Sequence, residues 1–311
     1  MPVADLCLSR PAWVITGATG CGKSDFALRL AEVYQGEIIA MDSMTLYRGM
    51  DIGTAKPSLA DRQRVPHHLI DEREPWESAN VAWWLERAIQ CCREIDRRNK
   101  QILFVGGTPL YLKALLYGLF QGPPADLAIR SRLEHMGRSQ GSEILHGRLR
   151  EIDPTSASRI HPHDLRRLVR ALEVWELTGR PMSSWQQEWH RDVQPPWLRC
   201  WWLDRPREEI DRRINARVDR MIAAGWEEEV RRLLALPRPL SREAAQALGY
   251  AEMRAYVEGR LDLATARETI QRKSRQFARR QLTWFRSLPQ LIRVPIHDCT
   301  RIEDLIPGAA I

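Results

Sequence analysis

Residues 17–24 read Gly-Ala-Thr-Gly-Cys-Gly-Lys-Ser, a G-x-x-x-x-G-K-[ST] pattern, and the segments on either side fix what it must belong to. Before it, Trp13-Val14-Ile15-Thr16 is a short β-rich run; after it, Phe26, Ala27, Leu30, Ala31 and Tyr34 recur at helical spacing. Strand, glycine-rich turn and helix in that order make a phosphate-binding loop. Its glycines let backbone N–H groups curl around phosphate oxygens at a helix N-terminus, Lys23 adds a mobile positive charge, and the Ser24 hydroxyl can ligate Mg²⁺. A glycine-rich turn that binds nothing is the plain alternative, and the strand-to-helix context argues against it. Cys21, beside the helix N-terminus, is either a sensitised thiol or simply a small loop residue.

The alternation continues. Gly36 suits a helix stop, and Glu37-Ile38-Ile39-Ala40-Met41 reads as a second strand with Asp42 at its carboxyl end. Val81, Trp84, Leu85, Ala88, Ile89 and Cys92 mark an amphipathic helix, followed by the strand Ile102-Leu103-Phe104-Val105 and the turn Gly106-Gly107-Thr108. Such alternation predicts an α/β fold, a parallel sheet with helices on both faces. Ligands of such sheets gather beyond the carboxyl ends of the strands, where residues 17–24, Asp42 and Thr108 would all lie. Gln121-Gly122-Pro123-Pro124 breaks the pattern, and from Asp126 to about Trp189 only helical periodicity and turn signals follow. After Pro195-Pro196, the β-rich run Leu198 to Leu203 returns the chain to the sheet. The expected organisation is therefore a P-loop core (1–122), an all-helical insertion (123–196) and the second part of the core with a basic C-terminal helix (197–311).

No apolar run approaches the roughly 18–20 residues of a membrane span, and the N-terminus lacks a basic region followed by a long apolar core. A cytoplasmic protein is expected. The six cysteines form no CxxC or other metal-ligand spacing, so free thiols are expected. The net charge of +7 admits a polyanionic partner. On Asp164 to Glu176, Leu165, Leu168, Val169, Leu172 and Trp175 form an apolar face, with Arg166, Arg167 and Arg170 away from it. Arg272, Arg275, Arg279 and Arg286 recur opposite a stripe that includes Ile270, Phe277, Trp284 and Leu288. Such charges ordinarily mark a solvated surface; RNA phosphates are the other reading.

Beyond the loop, Asp42-Ser43-Met44-Thr45-Leu46-Tyr47-Arg48-Gly49-Met50-Asp51-Ile52-Gly53-Thr54-Ala55-Lys56-Pro57 resembles the tRNA dimethylallyltransferase family. So do Pro66-His67-His68-Leu69-Ile70-Asp71, Gly106-Gly107-Thr108-Pro109-Leu110-Tyr111 and Arg170-Ala171-Leu172-Glu173-Val174. Leu248-Gly249-Tyr250 and Arg279-Arg280-Gln281-Leu282-Thr283-Trp284-Phe285 follow in the same order, so the agreement is collinear over most of the chain. The resemblance implies a P-loop NTPase-like fold and transfer of a dimethylallyl group from its pyrophosphate to N6 of the adenosine immediately 3′ of a tRNA anticodon. It implies that Gly17, Ala18, Thr19, Gly20, Cys21, Gly22, Lys23 and Ser24 hold the donor's pyrophosphate, with Mg²⁺ on Ser24. It assigns catalysis to Asp42 as general base, with Lys23, Thr108 and Arg275. Contact with the anticodon stem-loop would fall to Asp42, Ser43, Met44, Thr45, Thr108, Arg130, Arg166, Arg167, Leu168, Val169, Arg170, Gln246, Gly249, Tyr250, Lys273, Arg279 and Arg280. The expected partners are thus tRNA and dimethylallyl pyrophosphate, met by a monomer without a membrane.

Each assignment has a plainer rival. Asp42 suits a turn cap or an outer-shell Mg²⁺ partner, and Thr108, preceding Pro109, suits a helix N-cap. His67 and His68 suit an ordered turn. Trp185 and Trp189 are the tryptophans placed to reach RNA from the insertion. Thr45, Gln246 and Ala251 depart from the family pattern. For the whole chain, a P-loop kinase, with Asp42 as base toward a hydroxyl, and an RNA-binding P-loop protein are the alternatives.

Overall fold

The run at Trp13–Thr16 extends by one residue at each end into β1 (Ala12–Gly17), all of it buried. Burial on both faces is what an interior strand of a parallel sheet requires, and it explains why the segment is mostly apolar instead of alternating. β2 (Gly36–Ala40), β3 (His67–His68), β4 (Gln101–Gly106), β5 (Leu198–Asp204) and β6 (Ile292–Pro295) complete the sheet. The order is β3-β2-β4-β1-β5-β6, with every neighbouring pair parallel. The computed structural model describes residues 6–119, 122–185 and 195–300. It divides into two compact units, Met1–Leu116 with Gln194–Ile311, and Tyr117–Val193.

In the first unit, α1 (Lys23–Val33), α2 (Leu59–Arg64), α3 (Val81–Arg97) and α4 (Pro109–Tyr117) connect the strands. Phe26, Ala27, Leu30 and Ala31 of α1 pack with Trp13, Ile15, Ile38, Leu103 and Leu203 of the sheet. Asn80 caps α3 by accepting the Trp83 N–H, and Trp84 is buried with its indole N–H donating to the Ala40 carbonyl at 3.0 Å. The Trp84 ring also stacks on Tyr111 at 4.3 Å, so one tryptophan ties α3 to both β2 and α4. His67 and His68, expected in a turn, form the short edge strand β3, and the His68 ring is 2.7 Å from the Glu37 carboxylate. Gly36, expected to stop α1, instead opens β2; the turn falls at Gln35, which takes a positive φ of 50°.

The second unit is helical: α5 (Leu127–Ser139), α6 (Ser142–Ile152), α7 (Pro154–Arg159), α8 (Leu165–Thr178) and α9 (Met182–Trp185). Asp126, Asp153 and Asp164 cap α5, α7 and α8. Leu133, Leu145, Leu149, Leu168, Leu172 and Val174 form its core. Trp185 packs half-buried against that core with the Arg180 guanidinium 4.5 Å above its ring; Trp189 lies outside the described residues.

Beyond β5 the first unit resumes with α10 (Arg207–Ala223), α11 (Trp226–Leu234), α12 (Tyr250–Val257) and α13 (Leu263–Arg286). The α13 residue Gln271 reaches α10, donating to Asp219 at 3.0 Å. No helix among the described residues is long and apolar enough to cross a membrane, and all six cysteines are free thiols.

Candidate active site

In a parallel sheet all strands present their carboxyl ends on one side. Residues 17–24 follow β1, Asp42 to Thr45 follow β2, Thr108 follows β4 and Arg205 follows β5, so all meet there. Gly22 is the N-cap of α1 with φ of 98°, a left-handed conformation that a side chain disfavours. Having no side chain, it leaves the first N–H groups of α1 uncapped, and these with the helix dipole form an anion site. The Cys21 N–H closes the turn onto the Ala18 carbonyl at 3.1 Å, and Lys23 Nζ stands 3.4 Å from the same oxygen. Cys21 is fully buried, its Sγ filling space next to Gly17, so it packs the loop and is not an exposed thiol.

The pairing of β2 with β4 continues past the strand ends. Met41 N–H donates to Val105 at 2.8 Å and Thr108 N–H to Met41 at 3.4 Å, which brings Asp42 beside Thr108. Asp42 Oδ1 accepts the Met44 N–H at 2.8 Å, and the Ser43 N–H donates to Thr108 Oγ1 at 3.3 Å. The Thr108 hydroxyl therefore links the two loops, while its carbonyl accepts the first N–H groups of α4. Asp42 is half-buried. Burial, together with the charge of Asp42, pushes the Tyr111 phenol well above its ordinary range. Burial lowers the Arg217 pKa, and the charge of Asp42 opposes that shift.

A buried carboxylate holds the far end of the Asp42 loop. Glu229 of α11 accepts the N–H groups of Asp51 (2.7 Å), Ile52 (2.6 Å) and Gly53 (3.2 Å), and the Tyr250 hydroxyl at 2.6 Å. Lys56 adds bonds to the Tyr47 carbonyl (2.7 Å), Asp51 (2.5 Å) and Asp71 (2.6 Å). Gly249, at φ of 88°, lets Trp226 approach so closely that a Cβ would stand 2.3 Å from its ring. Gly249 and Tyr250, expected to touch RNA, thus turn inward: Tyr250 is buried, and burial with the Glu229 charge raises its pKa. Thr45 is buried as well, its hydroxyl 3.5 Å from the Asp42 carbonyl oxygen.

On the other side, the loop is covered by three arginines that the sequence patterns do not single out. Arg205 Nε donates to the Cys21 carbonyl at 2.9 Å, Arg213 Nε to the Gly20 carbonyl at 2.9 Å, and Arg217 Nη1 to Thr19 Oγ1 at 3.2 Å. Gln281 of α13 is buried; its Oε1 accepts the Thr19 N–H at 2.9 Å and its Nε2 donates to the Gly107 carbonyl at 2.6 Å. It ties the phosphate loop to the β4–α4 turn. Arg275 donates to Asn215 on α10 at 2.5 Å. A signal for Arg213 and Arg217 exists: they stand four residues apart beside the apolar stripe Ile210, Ile214 and Val218, just after a strand.

A family model described as IPP transferase matches residues 45–288. The chain belongs to the IPP transferase family. It is similar to the tRNA dimethylallyltransferase of Geobacter metallireducens, 47% identical over 283 residues that cover 90% of this chain and 91% of the relative. Among solved structures it resembles the full-length tRNA isopentenylpyrophosphate transferase of Bacillus halodurans (TM-score 0.69, 37% identity, 96% of this chain and 93% of that one). It also resembles a eukaryotic dimethylallyltransferase acting on tRNA (TM-score 0.79, 26% identity, 93% and 75%). The parallel sheet flanked by helices, with a phosphate loop after β1, is accordingly a P-loop NTPase-like core.

The remaining expected RNA contacts divide. Arg166 and Arg167 are exposed on α8. Leu168 and Val169 put their side chains into the helical core, so side-chain contact with RNA is not open to them. Arg130 and Arg170 converge on the buried Glu173, Arg130 bidentately at 2.8 and 3.0 Å and Arg170 at 2.5 Å, while Arg170 also donates to the Pro123 carbonyl. Gln246 is exposed at the end of a short 3₁₀ turn. On α13, Lys273 pairs with Glu252, Arg279 lies 3.6 Å from Asp211, and the exposed Arg280 leans over the Phe277 ring.

Proposed function

We propose that this chain transfers the dimethylallyl group of dimethylallyl pyrophosphate to N6 of the adenosine immediately 3′ of a tRNA anticodon, releasing pyrophosphate. The observation that carries the reading is an anion-binding loop and a carboxylate, Asp42, at the same end of one sheet, in a chain whose relatives are named for tRNA dimethylallyl transfer. The uncapped N–H groups of α1 and the Lys23 ammonium receive the pyrophosphate, with Arg217 at the loop's edge. As the carbon–oxygen bond of the donor breaks and the N6–carbon bond forms, negative charge collects on the leaving pyrophosphate and the N6 proton becomes acidic. Asp42 takes that proton. Thr108, linked to the Asp42 loop through Ser43, is the hydroxyl beside Asp42 that would meet the flipped-out base.

The residues present fit a magnesium ion of modest protein coordination. Among the described residues no group of three or more His, Cys, Asp or Glu could hold a metal. Mg²⁺ characteristically keeps water and substrate phosphate oxygens with one or two protein ligands, and Ser24 in the first turn of α1 supplies such a ligand. Bound there, it would offset charge on the leaving group.

One incubation tests the function: labelled dimethylallyl pyrophosphate, unlabelled ATP, Mg²⁺ and unmodified tRNA. The expected result is label in the tRNA with release of pyrophosphate and ATP intact. Phosphoryl transfer from ATP with the label left on the donor would establish a kinase instead, and tRNA binding with neither transfer would leave an RNA-binding protein.

A further inference from the structure

The chain segment after β6 reaches the phosphate loop through two arginines. Ile296 is buried and its N–H donates to the Asp204 carbonyl at 3.0 Å, carrying the β5–β6 pairing one residue further. His297 and Thr300 then close a turn, the His297 N–H donating to Thr300 Oγ1 at 2.9 Å and the Thr300 N–H to the His297 carbonyl at 3.1 Å. Within that turn Asp298 meets Arg205 at 2.7 Å, Arg212 at 3.1 Å and Arg213 at 3.5 Å. Glu209 holds Arg205 from the α10 side at 2.7 Å. Arg205, only 8% exposed, and Arg213 spend their Nε–H groups on the Cys21 and Gly20 carbonyls.

Those two carbonyls decide where the loop's donors point. A trans peptide places the N–H of one residue opposite the C=O of the residue before it. Pinning the Cys21 carbonyl on Arg205 therefore turns the Gly22 N–H away from Arg205. The guanidinium nitrogens of Arg213 and Arg205 lie 3.6 and 3.7 Å from the place where a Gly22 Cβ would be, so the pair backs the residue that opens α1. Both arginine charges face carboxylates, so their effect on a bound anion runs through loop geometry more than through direct attraction.

We infer that Arg205 and Arg213, keyed by Asp298, are positioning residues that clamp the outer face of the phosphate loop, and that residues 296–300 are a strap fastening the clamp. The inference rests on the reading that this loop holds the donor's pyrophosphate. The strap sets affinity for that group and leaves RNA contact alone.

The test uses the full-length protein and magnesium pyrophosphate as the calorimetric ligand, with the donor KM, kcat, tRNA Kd and melting temperature measured beside it. Asp298→Ala should weaken pyrophosphate binding and raise the donor KM about 10-fold, through misplacement of the loop donors, with kcat, tRNA Kd and melting temperature unmoved. Asp298→Glu should recover most of the loss. Arg205→Lys keeps the charge but cannot span the Cys21 carbonyl and Asp298 together, and should behave like Asp298→Ala. If Arg205→Lys lowers the melting temperature, the two Asp298 variants decide. A parent that binds pyrophosphate with Asp298→Ala binding it equally well overturns the strap alone; a parent that does not bind it overturns the strap together with the assignment of the loop.

Discussion

Replacing Asp42 with Asn keeps the side chain's shape and an acceptor for the Met44 N–H but removes the capacity to take a proton. Asp42→Asn should therefore bind tRNA and donor nearly as the parent does, yet lose roughly 10²- to 10⁴-fold in single-turnover transfer. Near-parental rates would take Asp42 out of the chemistry, and a fall accompanied by lost Mg²⁺ or donor affinity would make it a metal-site residue. Lys23→Ala separates functions differently. It removes charge from the anion site, so turnover should collapse while filter-binding affinity for tRNA stays close to parental; an equal loss of both would mean that the loop holds another ligand. Both residues are legible in the sequence because their meaning lies in contiguous motifs. Arg217 is not, and Gln281, though it stands in the Arg279–Phe285 motif, carries no sign of its partner there, since each acts on Thr19 from nearly two hundred residues or more along the chain. Only the fold brings them there.

Amphipathic spacing predicts α8, but not what α8 buries. Its apolar face is broader than the stripe from Leu165 to Trp175, and it includes Glu173, which no rule of polarity would place inside. Burial raises the carboxyl's pKa, but the bonds from Arg130 and Arg170 and the Asp126 N–H outweigh this and hold Glu173 below the usual carboxylate range. A folded-state pKa below the unfolded value means stabilisation that is complete above about 4.5 and is lost as pH falls through the folded-state value. Glu173→Gln should remove that dependence, flattening the acid limb of helical unfolding followed by circular dichroism. At neutral pH the same variant should be less stable by about 2–3 kcal/mol, less than for a fully buried pair because both arginines keep some contact with water. An acid limb identical to the parent's would show that the cluster contributes nothing in that range. The same arrangement explains why Arg130 and Arg170 read as RNA contacts from sequence: the partner of Arg130 lies on a neighbouring helix, and that of Arg170, three residues along its own helix, does not announce its burial.

At the scale of the whole chain, the parallel sheet is legible because each of its longer strands is locally apolar and followed by a turn or helix signal, whereas β3 and β6 are too short to carry a pattern. The net charge of +7 is equally plain in the sequence, but its distribution is not: several arginines are spent on buried carboxylates, Glu37, Glu173 and Asp204. That distinction yields a quantitative expectation for RNA binding. Each duplex phosphate neutralised contributes a slope of about −0.9 to the dependence of log affinity on log salt, and each single-strand phosphate about −0.7. Arg166 and Arg167 are exposed on α8, so reversing both with Glu should make the tRNA slope shallower by roughly 1.4 to 1.8 in all if each meets one phosphate. Magnesium pyrophosphate affinity, which belongs to the other unit, should not change. Arg170→Glu should act otherwise: by placing a second carboxylate against Glu173 it should lower the melting temperature before it alters the slope. Filter binding across about 50 to 200 mM salt reads the slopes, and an unchanged slope for the Arg166 and Arg167 double variant would return that face of α8 to solvent, leaving the basic side chains of α13 to account for the salt dependence.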